Sequence, residues 1–119
     1  MIYEVAHDAA WAAIAKNIRD LDDLLRLLQE GLPSAKPWQR QLRAHLASAQ
    51  QATQVLRMTI AMERVHQEIL AAGQSLAGAC RQLAAAVNGG RADGTTKSAL
   101  RLVADLGQNV QGSLAELHR

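Results

Sequence analysis

From Trp38 to Val87 the chain contains no proline, and apolar or small residues recur at the three- and four-residue steps of an α-helix. They form two regular series that are offset from each other by two residues. The first series is Leu42, Leu46, Ala49, Thr53, Leu56 and Ile60, and the second is Met58, Met62, Val65, Ile69, Ala72, Leu76, Ala79, Leu83 and Ala86. Because two residues correspond to roughly 200° around a helix, the buried face would change sides near residues 56–62.

This change of face has two explanations. Either the chain turns near residues 56–62 and forms shorter helices, or one helix of about 50 residues presents opposite faces to different partners. The segment from Arg57 to Met62 contains no Gly, Pro, Asn or Asp, which are the residues that favour turns. We therefore favour the long helix and place any interruption at Gly73 or Gly78, where glycine weakens a helix.

The segment before this stretch is the clearest helix in the sequence. Its apolar residues follow one helical face and are Trp11, Ile14, Ile18, Leu21, Leu25, Leu28 and Leu32. Gly31 and Pro33 are typical of a helix end, and Pro37 suits the first turn of the next helix. A second loop covers residues 88–94, after which Thr95 or Thr96 is available to cap a last helix.

These patterns predict an all-α antiparallel helical bundle with a long central helix, in a single domain of residues 1–119. The expected helices cover about 5–31, 37–72, 74–88 and 96–118, with the middle two either continuous or separate. If the outer helices fold back on opposite halves of the central helix, each half leaves an apolar side uncovered. We therefore expect a homodimer or higher homo-oligomer, in which four-helix cores are completed by dimerisation.

Several features predict a cytoplasmic protein. The first residues lack the basic and apolar segments of a secretion signal, and the uncharged window from Ile69 to Cys80 is about half of what a membrane-spanning helix requires. The lone Cys80 lies among small apolar residues, which fits a buried thiol in a reducing compartment. The high alanine content and the excess of Arg over Lys, 10 against 3, favour a bacterial source with a GC-rich genome.

Charge is unevenly distributed along the chain. Residues 1–31 carry a net charge of −3, whereas residues 32–57 carry no acid and four basic residues, namely Lys36, Arg40, Arg43 and Arg57. These side chains either face the acidic first helix or assemble, in an oligomer, a surface for nucleic acid. The sequence has no Phe and only three other aromatic residues, so it offers no stacking platform for bases.

Glu63 and His66 have the Glu-x-x-His spacing by which di-iron and di-manganese bundles direct two ligands to one side of a helix. A complete site also requires a Glu from each of two other helices, and Glu30 and Glu116, near helix ends, are the obvious donors. The apolar series places His66 at its flank and Glu63 toward solvent. We therefore predict no metal site and no cofactor, with a metal-binding bundle as a lesser alternative.

The segment from Arg43 to Ala49 resembles the phosphorylatable segment of histidine phosphotransfer domains, which are small four-helix bundles with one exposed helical His. The resemblance covers seven residues and implies a phosphoryl acceptor at His45. Those domains typically carry Lys and Gly three and four positions later, where this chain has Ser48 and Ala49. A partly exposed surface histidine explains His45 equally well.

No catalytic arrangement is recognisable, and we predict that the protein is not an enzyme. The favoured function is a small helical protein-interaction module that self-associates and acts as an accessory subunit, chaperone or inhibitor-type adaptor. The main alternative is a nucleic-acid-binding accessory protein that uses the four basic residues. Because Trp, Arg and Met are enriched in interfaces, the predicted partner contacts are Trp38, Arg40, Met58 and Met62. Core packing accounts equally well for Trp38 and both Met residues.

Overall fold

The computed structural model describes residues 2–87 and 92–118, with side chains from Asp8 onward, and these residues form four α-helices. The helices are α1 (Ile2–Gly31), α2 (Pro37–Ala61), α3 (His66–Val87) and α4 (Gly94–Leu117). Each helix packs against the next, and α1 also packs against α4, which closes a ring of four. Short connections make successive helices antiparallel. The predicted all-α antiparallel bundle is therefore confirmed for the described residues.

The predicted long central helix is wrong, because the chain reverses direction between Ala61 and His66. The Arg64 N–H donates to the Thr59 carbonyl at 3.2 Å and the Glu63 N–H donates to the Ile60 carbonyl at 3.0 Å. Glu63 has a φ of 51°, in the left-handed region. Together these features are a Schellman motif, the hydrogen-bonded C-terminus that most often carries glycine at the left-handed position. The interruption lies here and not at Gly73 or Gly78, which are both inside α3.

This turn explains the offset between the two apolar series. The first series is buried on α2 from Leu42 to Leu56. The second series is buried on α3 at Ile69, Ala72, Leu76 and Leu83, whereas Ala79 is partly buried and Ala86 is exposed. The first three members of the second series are exposed and belong to no seam, namely Met58, Met62 and Val65. One long helix would present the two apolar series on opposite sides. Because the chain reverses between α2 and α3, both series face the same interior and pack in one core.

All four helices contribute side chains to that core. The large side chains that are fully buried are Ile14, Leu21 and Leu25 of α1 and the following residues of the other three helices: Leu46, Thr53, Leu56, Leu76, Leu83, Leu100, Val103, Val110 and Leu114. The residues that form the predicted seam of the first helix are buried or partly buried against this cluster. The bundle measures 54 × 23 × 21 Å.

The helix ends follow local hydrogen bonding. The N–H of Lys36 donates to the Gln39 side chain at 3.0 Å, and Pro37 begins α2 as predicted. The N-cap of α4 is Asp93, whose carboxylate accepts from the Thr96 N–H at 2.7 Å, so α4 begins at Gly94 and the expected cap at Thr95 or Thr96 is wrong. Hydrogen bonding from the side chain and backbone of Thr96 lowers the pKa of the Asp93 carboxyl. Most of the predicted second loop, residues 88–91, lies outside the described residues.

A closed ring of four helices removes the premise of the predicted dimer. Among the described residues, the apolar seams of α2 and α3 are covered by α1, by α4 and by each other within one chain, so these seams need no second copy to cover them. A homodimer stays a prediction. In the part of the chain that the structure describes, any contact between copies would have to use residues on the outside of the bundle.

Candidate functional site

The solvent-facing side of α2 carries almost no charge. The whole helix lies within the described residues, and its exposed residues are Pro37, Arg40, Gln41, Ala44, Ala47, Ser48, Gln51, Gln54, Val55, Met58 and Ala61. Arg40, in the first turn, is the only charged one among them. Apart from Arg57, whose 36 % exposed side chain is directed to Asp22 of α1, the helix shows solvent an uncharged surface from Ala44 to its C-terminus, a distance of about 27 Å.

The C-terminal part of this surface is apolar. Val55, Met58 and Met62 follow one helical face at intervals of three and four residues, and Val65 continues beyond them in the turn. Their exposed fractions are 48 %, 60 %, 61 % and 63 %. Single exposed apolar residues are common, whereas several neighbouring ones on one side are a candidate interaction surface. We term the outward residues Ala44, Ala47, Gln51, Val55, Met58, Met62 and Val65 the α2 face.

The structure separates the four predicted partner contacts. Met58 and Met62 lie on the α2 face, and Arg40 lies on the same side of the helix about five to six turns away. The Arg40 Nη1 atom donates to the carbonyls of Ser34 and Ala35 at 3.1 and 3.0 Å, which holds its side chain against the α1–α2 connection. Trp38 is half-buried and packs against the core. The α2 face therefore includes two of the four residues, and the sequence analysis missed Val55 and Val65.

Trp38 points toward the ends of α3 and α4 instead of outward. It lines a cavity of about 70 Å³ together with His45, Ala86 and Ala92. Its buried Nε1 atom has no hydrogen-bond partner among the described residues. His45, the residue carried by the phosphotransfer resemblance, lines the same small cavity and is only partly exposed. This position between α2 and α3 restricts the approach of a phosphoryl donor to its ring.

An apolar groove of about 180 Å³ lies between α1 and α2, beside the α2 face. Its lining residues are Trp11, Ile14, Ala15, Ile18, Arg57, Ile60 and Ala61. Ile60 and Ala61 immediately precede Met62, so the groove adjoins the apolar end of the α2 face. Its aliphatic and indole surfaces suit one bulky apolar side chain of a docked partner.

Asp22, on the α2 side of α1, is a buried carboxylate with 3 % of its surface exposed. Its Oδ2 atom accepts from Arg26 Nη2 at 2.8 Å and from Arg57 Nη1 at 3.2 Å, and the Gln54 Nε2 atom lies 3.5 Å from its Oδ1 atom. The prediction that basic residues face the acidic first helix is confirmed for Arg57. This cluster ties α1 to α2 and leaves the Asp22 carboxylate with no open approach for a substrate.

Arg43 also serves the fold. Its Nη1 atom donates to the carbonyls of Gln29 and Leu32 at 3.0 and 2.8 Å, and these groups lie at the C-terminal end of α1, where carbonyls lack helical partners. Together with Arg40 and Arg57, Arg43 directs its guanidinium to acceptors of this chain. Of the predicted basic surface, Lys36 alone forms no side-chain bond with the described residues. The nucleic-acid alternative stays a prediction, but these residues do not form a free cationic surface for it.

The Glu63–His66 pair does not have the geometry of a metal-binding helix. Glu63 lies in the turn in a left-handed conformation and His66 begins α3, so the two are not on one helical face. The His66 ring instead stacks on His118, with centroids 5.6 Å apart, and Trp11 meets His118 edge-on at 5.8 Å. Among the described residues, no group of three His, Cys, Asp or Glu side chains could hold a metal ion.

Cys80 is fully buried between α3 and α4, against Gly107. Burial raises the pKa of its thiol to about 12, because the thiolate would lose its hydration. The side chain is therefore a protonated core residue at neutral pH. It has neither the exposure nor the thiolate character of a nucleophile.

Comparison with models of known protein families, with curated proteins and with solved structures finds no match for this chain. None of the helices formed by the described residues combines the length and the apolar character that crossing a bilayer requires. Functional inference therefore rests on the surface of the bundle itself.

Proposed function

We propose that this protein is a non-enzymatic interaction module that docks an amphipathic helix of another protein along the α2 face. The observation that carries the proposal is the exposed, uncharged side of α2, which ends in Val55, Met58 and Met62. Interface centres are depleted of charged residues and enriched in Met, in agreement with this surface. The flexible thioethers of two Met residues also adapt to apolar surfaces of varied shape.

The geometry favours a helical partner. The part of the α2 face that lies on the helix, from Ala44 to the C-terminus of α2, is about 27 Å long and one helix wide. These dimensions match a partner helix of about five turns. The adjoining α1–α2 groove offers a recess for one anchoring apolar side chain of that partner. Such helix-on-helix docking uses apolar residues at i, i+3, i+4 and i+7 of the partner.

The test compares two variants that introduce lysine at exposed apolar positions. One variant carries Met58→Lys and Met62→Lys on the α2 face, and the matched control carries Leu102→Lys, a 50 % exposed residue of α4. Because all three side chains are at least half exposed, we expect both variants to fold with nearly unchanged stability. Circular dichroism and urea unfolding check this before any binding measurement.

Proteins that bind the wild type from an extract of the native host are identified, purified and titrated by calorimetry. We expect the double variant to bind at least about a hundredfold more weakly, since two interface positions at about 1–2 kcal/mol each are lost and two charges are desolvated. The Leu102→Lys control should bind like the wild type. Equal affinity of the double variant and the wild type would reject the α2 face, as would the absence of any protein that distinguishes them.

We also propose that the predicted homodimer, where it forms, uses the same face. An antiparallel pairing of two α2 helices would place the Arg40 of each copy near the apolar end of the other, so that like charges do not meet. Light scattering should then report a dimer for the wild type and the Leu102→Lys control, and a monomer for the double variant. A dimer that survives both lysines on the α2 face would place the contact elsewhere.

A further inference from the structure

A second groove, between α3 and α4, has a different chemical character. Arg81 of α3 and Lys97 and Arg101 of α4 line it with cationic side chains. Between them lie the small apolar residues Ala84, Ala85 and Ala104. Its volume is about 360 Å³, twice the 180 Å³ of the α1–α2 groove. The α3–α4 groove is thus an open channel with an alanine floor and cationic sides.

The three cations have no acidic partner. No carboxylate lines the groove, and no ion pair between described residues involves Arg81, Lys97 or Arg101. The one polar contact of these side chains is between Arg81 Nη1 and the neutral Gln108 Oε1 at 3.4 Å. Other cations of the described residues do pair with carboxylates, namely Lys16, Arg26, Arg57 and Arg64. The groove therefore concentrates three positive charges that form no ion pair with the described residues, which attracts an anionic ligand.

We propose that the α3–α4 groove binds an acidic peptide segment that presents carboxylates one helical turn apart together with small apolar side chains. Lys97 and Arg101 are four residues apart and lie on the same side of α4, which matches two carboxylates with that spacing. Arg81 faces them from α3 and can donate two parallel hydrogen bonds to a carboxylate. The alanine floor supplies the apolar contact that an amphipathic segment requires.

The same features disfavour the backbone of a nucleic acid. Sugar and phosphate gain little from a floor of methyl groups, and the groove contains no aromatic side chain on which bases could stack. Three cations neutralise about three phosphates, which is fewer than the roughly six to ten contacts typical of salt-dependent DNA binding. The peptide is therefore the better match in both charge and apolar surface. This inference is independent of the α2 face, which lies on a helix that does not line this groove.

The experiment uses the full chain and a fluorescently labelled helical peptide with Glu at i and i+4 positions and Ala and Leu on the adjoining side. A second peptide has Gln in place of each Glu, and a short labelled DNA duplex is the third ligand. Fluorescence anisotropy at low salt measures the affinity of each. The groove variant is Lys97→Gln with Arg101→Gln, and the matched control is Arg19→Gln with Arg64→Gln, which removes the same charge from exposed positions away from the groove.

We expect the Glu peptide to bind the wild type and the control alike, and to bind the groove variant at least tenfold more weakly. The Gln peptide should bind the wild type at least tenfold more weakly than the Glu peptide. An additional Ala85→Gln variant, which obstructs the floor without changing charge, should weaken the Glu peptide at unchanged salt dependence. Circular dichroism confirms that each variant is folded.

Four results would overturn the proposal. The Glu peptide fails to bind, or it binds no better than the Gln peptide. The control variant loses as much affinity as the groove variant, which indicates attraction to overall charge. The duplex binds more tightly than the Glu peptide and loses affinity in the groove variant, in which case the groove is a phosphate site.

Discussion

Substitutions at Glu63 distinguish the observed turn between α2 and α3 from a continuous helix. The two arrangements predict opposite signs for the difference in stability between a glycine and an alanine variant at this position. Glu63 has a φ of 51° at the left-handed position of the Schellman motif. A side chain other than glycine costs about 1 kcal/mol in that conformation. Inside a continuous helix the order is opposite, because glycine is about 1 kcal/mol less favourable than alanine. The free energy of unfolding of the glycine variant minus that of the alanine variant is therefore about +1 kcal/mol for the turn and about −1 kcal/mol for the continuous helix, a separation of about 2 kcal/mol.

We therefore expect the Glu63→Gly variant to be more stable than the Glu63→Ala variant by about 1 kcal/mol. Both substitutions remove the same carboxylate, so the difference between them excludes the interaction of that charge with the N-terminus of α3. Urea unfolding followed by far-UV circular dichroism gives the free energy of unfolding of each variant. Gln51, which is exposed in the middle of α2, supplies the matched control. There the Gln51→Ala variant should have a free energy of unfolding about 1 kcal/mol higher than that of the Gln51→Gly variant.

If Glu63→Ala proves the more stable variant by the margin measured at Gln51, residue 63 is helical and the turn is refuted. The four-helix ring would then open, and the case for completion of the core by a second chain would return. A difference in favour of glycine, with the usual helix preference at Gln51, supports the reversal and the closed core.

Three further predictions test the packing. Gly107→Ala should lower the free energy of unfolding by about 1 kcal/mol, because a Cβ atom at this position would lie 3.0 Å from the Cys80 Cβ atom. Gly112→Ala should raise it by about 1 kcal/mol, because a Cβ atom there meets nothing within 4 Å and alanine favours the helix. A gain at both glycines in urea unfolding would contradict the close α3–α4 approach. Asp22→Ala should lower the free energy of unfolding by about 2 kcal/mol. This loss is smaller than that for a fully buried ion pair, because the side chains of Arg26 and Arg57 can still reach water. Asp20→Ala, which removes the exposed pair with Lys16, should lower it by less than about 0.5 kcal/mol. Equal losses in urea unfolding would place the Asp22 carboxylate in solvent. With a thiol pKa raised from 9.0 to about 12, native Cys80 should resist alkylation at neutral pH, and its contribution to stability should be complete below pH 9 and lost as the pH rises toward 12. Rapid labelling of the native protein, or an alkaline loss unchanged in Cys80→Ala, would contradict its burial.

Most of the helical architecture follows from the periodicity of apolar residues. The buried residues from Ile14 to Leu25 agree with the expected face of the first helix, because a 3.6-residue repeat requires these side chains to lie on one side. Gly31 and Pro33 also mark the first helix end in the sequence, since their backbone preferences act locally. Such local signals can be read without knowledge of the tertiary structure.

The turn after α2 could not be predicted from turn residues, because its left-handed position holds Glu63. The strain of about 1 kcal/mol is small beside the free energy of burying Leu56 and Leu76, each worth about 1.5–3 kcal/mol. Packing of α2 against α3 therefore outweighs the local preference. The signal that was present was the two-residue offset between the apolar series, which a reversal explains as well as a long helix does.

The two proposed binding surfaces were predictable from the sequence only where one helix supplies all of the residues. Met58 and Met62 are neighbours on one face, so their joint exposure follows once α2 ends at Ala61. The α3–α4 groove combines Arg81 with Lys97 and Arg101, which are 16 and 20 residues away along the chain. Arg43 donates to carbonyl groups at the C-terminal end of α1. Because every residue has a main-chain carbonyl, the sequence does not show which of them an arginine will bind.

The uncharged α2 face has no explanation in the fold itself. Composition does not account for it, because the outward side of α1 in the same chain exposes Lys16, Arg19, Asp23 and Glu30. Helix propensity does not account for it, since Glu and Lys form helices about as well as Gln and Met do. Core packing does not account for it, because Met58 and Met62 are about 60 % exposed. Charged residues at these positions would improve solubility at little cost to stability. A contact with another protein, in which a charge would have to be desolvated, is the explanation that we propose for the absence of charge on this face.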